Sequence, residues 1–232
     1  MTRGLEEDAW TEQALRLYRR YELEIVGALN LCPWAEKARL EGRVREHILL
    51  QTEDASVEPS LLALRDADSA RDAPTAAPEV DVALLIYPRL QIGRVDFDDF
   101  AARIRDAEAA RHELGRVPFV SAVFHPLATP DRSQPERLIP FLRRTPDPTI
   151  QFVRASILER VRERAPQGTQ FVDLASLDAS ASNGGEATPL RERIARSNLM
   201  TVERIGIAEL THRLDEIKRD RDASYRALAM VT

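Results

Sequence analysis

The segment that most constrains the fold is the near-continuous apolar run of residues 80–87, VDVALLIY. Such a run is typical of a strand that is covered on both faces, because a strand with one wet face would alternate apolar and polar residues. Pro88 ends the run, since proline cannot donate to the hydrogen-bond ladder of a sheet. The chain is therefore expected to bury at least one strand between other elements.

Shorter apolar runs predict further strands at residues 46–51, 119–124 and 170–174. Between them lie helical patterns, which are expected to follow polar capping residues at Ser56, Asp96 and Asp147. In the last of these helices Pro148 would occupy the first turn, and the apolar stripe would consist of Ile150, Val153, Ile157 and Val161.

Alternation of strands and helices predicts an α/β domain: a small, largely parallel or mixed four-stranded sheet with helices packed on it. The alternative is a ferredoxin-like α+β sandwich, because short sheets with antiparallel members give similar sequence patterns. We expect a single domain over residues 1–232. Residues 66–79 and 178–186, which are rich in small and polar side chains, are predicted to be mobile connections.

Composition excludes several classes of protein. A net charge of −5 argues against a general binder of nucleic acid or of anionic membranes. One cysteine rules out an internal disulfide framework and an all-cysteine metal site. No apolar run approaches the roughly 20 residues that cross a bilayer. A cytoplasmic protein with no nucleic-acid or membrane partner is the simplest interpretation.

The single cysteine lies between two predicted helices, in the segment of residues 30–35, NLCPWA. Pro33 cannot continue the helix before it but suits the first position of a new one. Cys32 would then be the N-cap of the second helix, where the helix dipole lowers a thiol pKa and favours the thiolate. The alternative is a buried structural cysteine in a helix–helix corner, with Trp34 filling the core.

Four motifs occur in order along the chain: NLCPWA at 30–35, FHP at 124–126, RRTPDPT at 143–149 and DRDASY at 220–225. Together they resemble an uncharacterised bacterial family that is catalogued only as a domain of unknown function. The resemblance spans nearly the whole chain and implies one compact domain. It carries no assigned reaction, so a mechanism has to be argued from the chemistry of the residues.

Polar side chains follow two of the predicted strands directly. Arg89 comes after residues 80–87, and His125 comes after residues 119–124. In a parallel sheet both positions lie at carboxyl ends of strands, which is the edge where α/β folds bind ligands. His125 is a candidate functional residue, and the alternative is a capping or hydrogen-bonded loop histidine.

Arg143 and Arg144 precede the helix predicted to start at Asp147, and Arg154 follows two turns later. Guanidinium groups beside the N–H groups of a helix start form a site for phosphate or carboxylate. Alternatively, these arginines pair with Asp147 or with surface carboxylates. The chain has no GxGxxG and no GxxxxGK[ST] segment, so a nucleotide is not favoured over a smaller anion.

Two function classes follow from these residues. In the first, the chain is a small-molecule enzyme that acts on an anionic substrate, with Cys32 as nucleophile, His125 as base and Glu36 or Asp147 as the orienting acid. Substrate contacts would come from Trp34, Arg89, Arg143, Arg144 and Arg154. In the second, a non-catalytic module binds an anion or a partner protein through the same surface. A mixed Cys/His/carboxylate site for zinc or iron is a further alternative.

Overall fold

The computed structural model describes residues 2–29, 31, 35–52, 56–69, 79–112, 117–131, 133, 135–157, 159 and 190–231. Cys32 and Trp34 lie outside these residues, as do the predicted strand at 170–174, the predicted connection at 178–186 and most of the one at 66–79. The predictions made for those segments therefore stay predictions.

Helices and strands alternate along the described chain. The first half contains α1 (Thr2–Tyr21), a π-helical continuation (Glu22–Gly27), α2 (Ala35–Leu40), β1 (Val44–Ile48), α3 (Glu58–Ser69), β2 (Val82–Ile86) and α4 (Arg94–Ala109). The second half contains β3 (Phe119–Phe124), a 3₁₀ turn (Pro135–Leu138), α5 (Ile139–Leu142), β4 (Thr149–Arg154), α6 (Leu190–Ile205) and α7 (Ile207–Val231). None of the helices in the described ranges is long and apolar enough to cross a membrane.

The four strands form one mixed sheet in the order β1-β2-β4-β3. β1 and β2 are parallel, and Val44 is paired with Val82. β4 lies between β2 and β3 and is antiparallel to both. The predicted α/β fold with a mixed four-stranded sheet is confirmed, and the one antiparallel strand is the feature it shares with the ferredoxin-like alternative.

The helix predicted to begin at Asp147 is wrong, because residues 149–154 form strand β4. Ile150, Val153 and Ile157 recur at helical spacing, but Ile150 and Phe152 also alternate as they do in a strand. Both of these side chains are fully or almost fully buried, and they pack into the same cluster on one face of the sheet. Burial of that alternating pair, together with pairing to two neighbouring strands, outweighs the local helical pattern.

Apolar clusters lie on both faces of the sheet. On one face, Ala83 and Leu85 of β2 pack with side chains of α3 and α4, including Phe100. On the other face, Leu84 and Ile86 pack with residues from the π-helical segment, α5, α6 and α7. The alternation within β2 explains its near-continuous apolarity, since successive side chains enter different clusters.

The first helix widens at its end, and this changes which side chains are buried. Ala14, Tyr18, Tyr21 and Ile25 are buried at helical spacing, which would next bring Ala28 to the core, but Ala28 is exposed and Leu29 is buried instead. The π-helical geometry of Glu22–Gly27 has more residues per turn, so the buried stripe advances by one position. Leu29 and Leu31 are both 4% exposed, and they pack in the cluster that contains Leu84 and Ile86 of β2.

Candidate functional site

The candidate site lies at the sheet edge where β1, β2 and β3 end and β4 begins. β2 and β3 run in the same direction because both are antiparallel to β4, and β1 is parallel to β2. Residues that follow these strands, Arg89 and His125, and the residue before β4, Pro148, therefore lie along one edge. The backbone N–H of Tyr87 donates to the carbonyl of Pro148 at 3.0 Å, which ties this edge together.

Asp147 is the buried acid of this edge, with 1% of its surface exposed. Its Oδ1 accepts a hydrogen bond from Nε of Arg221 at 3.0 Å, and its Oδ2 accepts one from the hydroxyl of Tyr225 at 2.7 Å. The hydroxyls of Thr145 and Thr149 donate to its backbone carbonyl at 2.7 and 2.9 Å. The loop before β4 is thus held in place through both the side chain and the backbone carbonyl of Asp147.

Burial and charge act in opposite directions on this cluster. Burial raises the pKa of the Asp147 carboxyl, while the charge of Arg221 and the hydrogen bond from Tyr225 oppose the increase. Burial and the neighbouring carboxylate also raise the pKa of the Tyr225 hydroxyl. Tyr225 therefore remains a hydrogen-bond donor to Asp147 at neutral pH.

Arg221 links the buried acid to the surface. Its Nη1 donates to Asp222 at 2.9 Å, its guanidinium lies 5.1 Å from the ring centre of Tyr225, and 21% of its side chain is exposed. Burial is the main cause of the lowered pKa of His125, and the charge of Arg221 is a smaller one. The C-terminal helix α7 therefore supplies a cation to the edge formed by the strands.

His125 is 4% exposed, and its ring contacts Phe97 with the ring centres 5.7 Å apart. Nδ1 accepts from the backbone N–H of Leu127 at 3.2 Å, and Nε2 lies 3.2 Å from the carbonyl oxygen of Ile92. These two bonds fit a neutral imidazole with its proton on Nε2. The arrangement is the hydrogen-bonded loop histidine of the alternative interpretation, and it occupies the one lone pair that a general base would use.

The burial of His125 predicts a pH dependence of stability. Burial lowers the pKa of His125 below its ordinary value of 6.5, so protons bind the unfolded state more tightly than the folded one. The wild-type protein should therefore lose stability as the pH falls below about 6.5. A His125→Gln variant lacks this penalty, so its stability deficit relative to the wild type should shrink from pH 7.5 to pH 5. Urea unfolding at both pH values measures the difference, and a constant deficit would contradict a buried neutral imidazole.

The four predicted arginines differ in what they contact. Arg143 is half-buried, its guanidinium lies 5.0 Å from the ring centre of Phe124, and no carboxylate contacts it within the described part of the chain. Arg144 is paired with Asp215 of α7. Arg89 lies 3.5 Å from a carboxylate oxygen of Glu6 and 5.2 Å from the ring centre of Trp10.

Arg154 is at the other end of the sheet. It is the last residue of β4, about 17 Å along the strand from Thr149 at 3.4 Å per residue. The structure therefore brings Arg89, Arg143 and His125 to one edge but does not bring Arg154 there. The helix start that motivated the anion site is also missing, because Arg143 and Arg144 precede a strand.

Sequence reasoning did not pair Asp147 with Arg221 and Tyr225, which are 74 and 78 residues away in the chain. The signal that could have found the pair is the resemblance, because its RRTPDPT and DRDASY motifs contain all three residues. The edge of the sheet thus combines a buried acid, four arginines (Arg89, Arg143, Arg144 and Arg221) and a neutral histidine. Among the described residues, no group of three or more His, Cys, Asp or Glu side chains could hold a metal ion.

A family model matches residues 16–175 of the chain, and its description is "Protein of unknown function (DUF1415)". The matched range includes all four strands, the NLCPWA, FHP and RRTPDPT motifs, and Asp147. It ends before α6 and α7. No curated protein and no solved structure matches the chain at a significant level.

Proposed function

We propose, from the premise that this chain belongs to the DUF1415 family, that its sheet edge binds a small anionic ligand through Arg143. The ligand would carry a carboxylate or a phosphate, which are the groups that a guanidinium recognises by paired hydrogen bonds. The position of the site agrees with the rule that α/β folds bind ligands at the carboxyl ends of their strands.

One observation carries the proposal: Arg143 is a half-buried cation that no carboxylate contacts in the described residues. Most arginines at the edge are compensated, since Arg144 is paired with Asp215 and Arg221 with Asp147. A partly desolvated charge without a counter-ion is costly, and an anionic ligand would offset that cost. The guanidinium lies over the ring of Phe124, and this contact helps to hold it in place.

Arg221 would be a second cation for the same ligand. It is partly exposed, and it contacts Asp147, which lies two residues before Thr149, the residue of β4 that is paired with Phe124 at the end of β3. The carboxylate of Asp147 is fully engaged by Arg221 and Tyr225, so it would repel an arriving anion less than an unpaired acid would.

Binding is favoured over catalysis as the role of His125. A general base needs an available lone pair, and Nδ1 of His125 already accepts from the Leu127 backbone. The nucleophilic role of Cys32, the substrate contact of Trp34 and a mixed Cys/His/carboxylate metal site remain predictions from the sequence. Cys32 and Trp34 lie outside the described residues, so the proposal rests on Arg143 and does not use them.

Replacement of Arg143 by alanine tests the proposal. Wild-type protein should melt at a higher temperature as inorganic phosphate or succinate is added, because ligand binding to the folded state raises apparent stability. Arg143→Ala should bind about tenfold more weakly and lose most of this increase, since a charge-assisted pair is worth on the order of 1.5–3 kcal/mol. Thermal unfolding at constant ionic strength measures both proteins.

A matched control is Arg219→Ala, which removes an exposed arginine of α7 with 68% of its side chain accessible. This variant should keep the wild-type response to phosphate and succinate. Equal responses from the wild type and Arg143→Ala would contradict the proposed site. Equal losses in both variants would show that only net charge matters and would contradict it as well.

A further inference from the structure

A second group of polar side chains lies where α1 crosses the end of β1, and the proposed function does not use it. Trp10 of α1 is 9% exposed and packs against Tyr225 with ring centres 4.6 Å apart. Its indole Nε1 is buried and has no hydrogen-bond partner among the described residues. Buried tryptophans ordinarily find a partner for this N–H, so its lack of one here requires an explanation.

Two further side chains in this part of the molecule, Gln51 and Arg89, also offer hydrogen-bond donors. The terminal amide nitrogen of Gln51 is also buried without a hydrogen-bond partner in the described chain. Gln51 follows Leu50, which packs against the cluster of Trp10, Leu17 and Tyr225. Arg89 lies over the ring of Trp10, and its one carboxylate contact in the described residues is Glu6 at 3.5 Å. All three side chains offer donors, so a group that satisfies them must be an acceptor.

We infer that Trp10 and Arg89 form a second ligand position, which binds an anionic oxygen group by the indole N–H and the guanidinium. A carboxylate or phosphate fits, because each is an acceptor without N–H donors of its own and carries the charge that Arg89 complements. Arg89 has 33% of its side chain exposed, so a ligand reaches the position from solvent along this residue. When the ligand is absent, the carboxylate of Glu6 pairs with the guanidinium of Arg89.

The position differs from the proposed site at Arg143 in its residues and in the source of the binding free energy. A buried N–H without an acceptor destabilises the folded state, and a bound acceptor removes that penalty. The stabilisation at this position therefore comes from hydrogen bonding to an orphaned donor. At Arg143 it comes from a counter-ion for a half-buried cation that no carboxylate contacts in the described residues.

The indole N–H resonance of Trp10 in ¹⁵N-tryptophan-labelled protein is the direct reporter. The chain has two tryptophans, and a Trp34→Phe sample assigns which resonance belongs to Trp10. Titration with inorganic phosphate, and separately with acetate, should move the Trp10 resonance downfield in a saturable way at constant ionic strength. Acetamide, which is uncharged, should require at least a tenfold higher concentration to produce the same shift of the Trp10 resonance.

Three variants make the test specific. Arg89→Ala should abolish saturation within the same range of phosphate concentration. Arg89→Lys should retain part of the saturation, and it replaces Arg89→Ala in the test if that variant is poorly folded. Glu6→Gln should shift saturation to lower phosphate concentration, because it removes the competing carboxylate. Arg143→Ala should leave the Trp10 titration unchanged, so failure of the Arg143 site and failure of this one are distinguishable.

An indole resonance that does not move with either anion would overturn the inference. So would an identical titration in Arg89→Ala or Arg89→Lys protein that is shown to be folded, or an equal response to acetamide.

Discussion

Asp147→Ala is expected to lose about 3–5 kcal/mol of unfolding free energy, because it leaves a mostly buried Arg221 without its buried counter-ion. The hydroxyl of Tyr225 loses its acceptor in the same step. For a chain of this length such a loss lowers the melting temperature by roughly 10 °C. Urea unfolding at pH 7.5 and calorimetry measure the two quantities.

Two controls separate the buried charge pair from ordinary surface electrostatics. Asp147→Asn keeps an oxygen that accepts a hydrogen bond, so its loss should be smaller than that of Asp147→Ala. Asp222→Ala removes the more exposed carboxylate that also contacts Arg221, with 33% of its side chain accessible, and should cost at most about 1 kcal/mol. Similar losses of stability for Asp147→Ala and Asp222→Ala would contradict the role of Asp147 as the buried counter-ion of Arg221 in α7.

The strands that sequence could predict are those whose whole length is apolar or is sharply ended. Residues 80–87 contain β2, whose continuous apolar run reports burial on both faces. Residues 119–124 coincide with β3, which His125 and Pro126 end, although Val120 in this strand is exposed. β4 was missed for a physical reason. Its six residues satisfy a helical spacing and a strand alternation at once, and only pairing with β2 and β3 decides between them.

The candidate site was predictable only in part. Arg89 and His125 could be placed at one edge because the sheet was predicted to be largely parallel, and β2 and β3 do run in the same direction. The contact of Asp147 with Tyr225 could not, since it depends on how α7 packs against α1 and the sheet. The hydrogen bonds that fix the ring of His125 likewise involve Ile92 and Leu127, whose backbone atoms carry no signal in the sequence.

Arg154 provides the sharpest contrast with Arg143, because the same residue type was predicted to have the same role at both positions. Arg154 is 3% exposed. Its Nε donates to the carbonyl of Val80 at 2.8 Å and its Nη1 to Asp68 at 3.0 Å. Its guanidinium lies 4.7 Å from the ring centre of Phe119. The side chain thus ties the end of β4 to the end of α3 and to the residue before Asp81.

Arg154→Ala should therefore lose about 3–4 kcal/mol, because it leaves a buried carbonyl and the carboxylate of Asp68 without their donor. Below its own melting temperature the variant should still respond to phosphate as the wild type does. Arg143→Ala should show the reverse, with at most about 1 kcal/mol of lost stability and a lost phosphate response. Urea unfolding and phosphate titration of both variants measure this double dissociation. A phosphate response that Arg154→Ala loses while folded would return Arg154 to the ligand site, because a purely structural arginine far along β4 has no means of contacting an anion at the opposite edge.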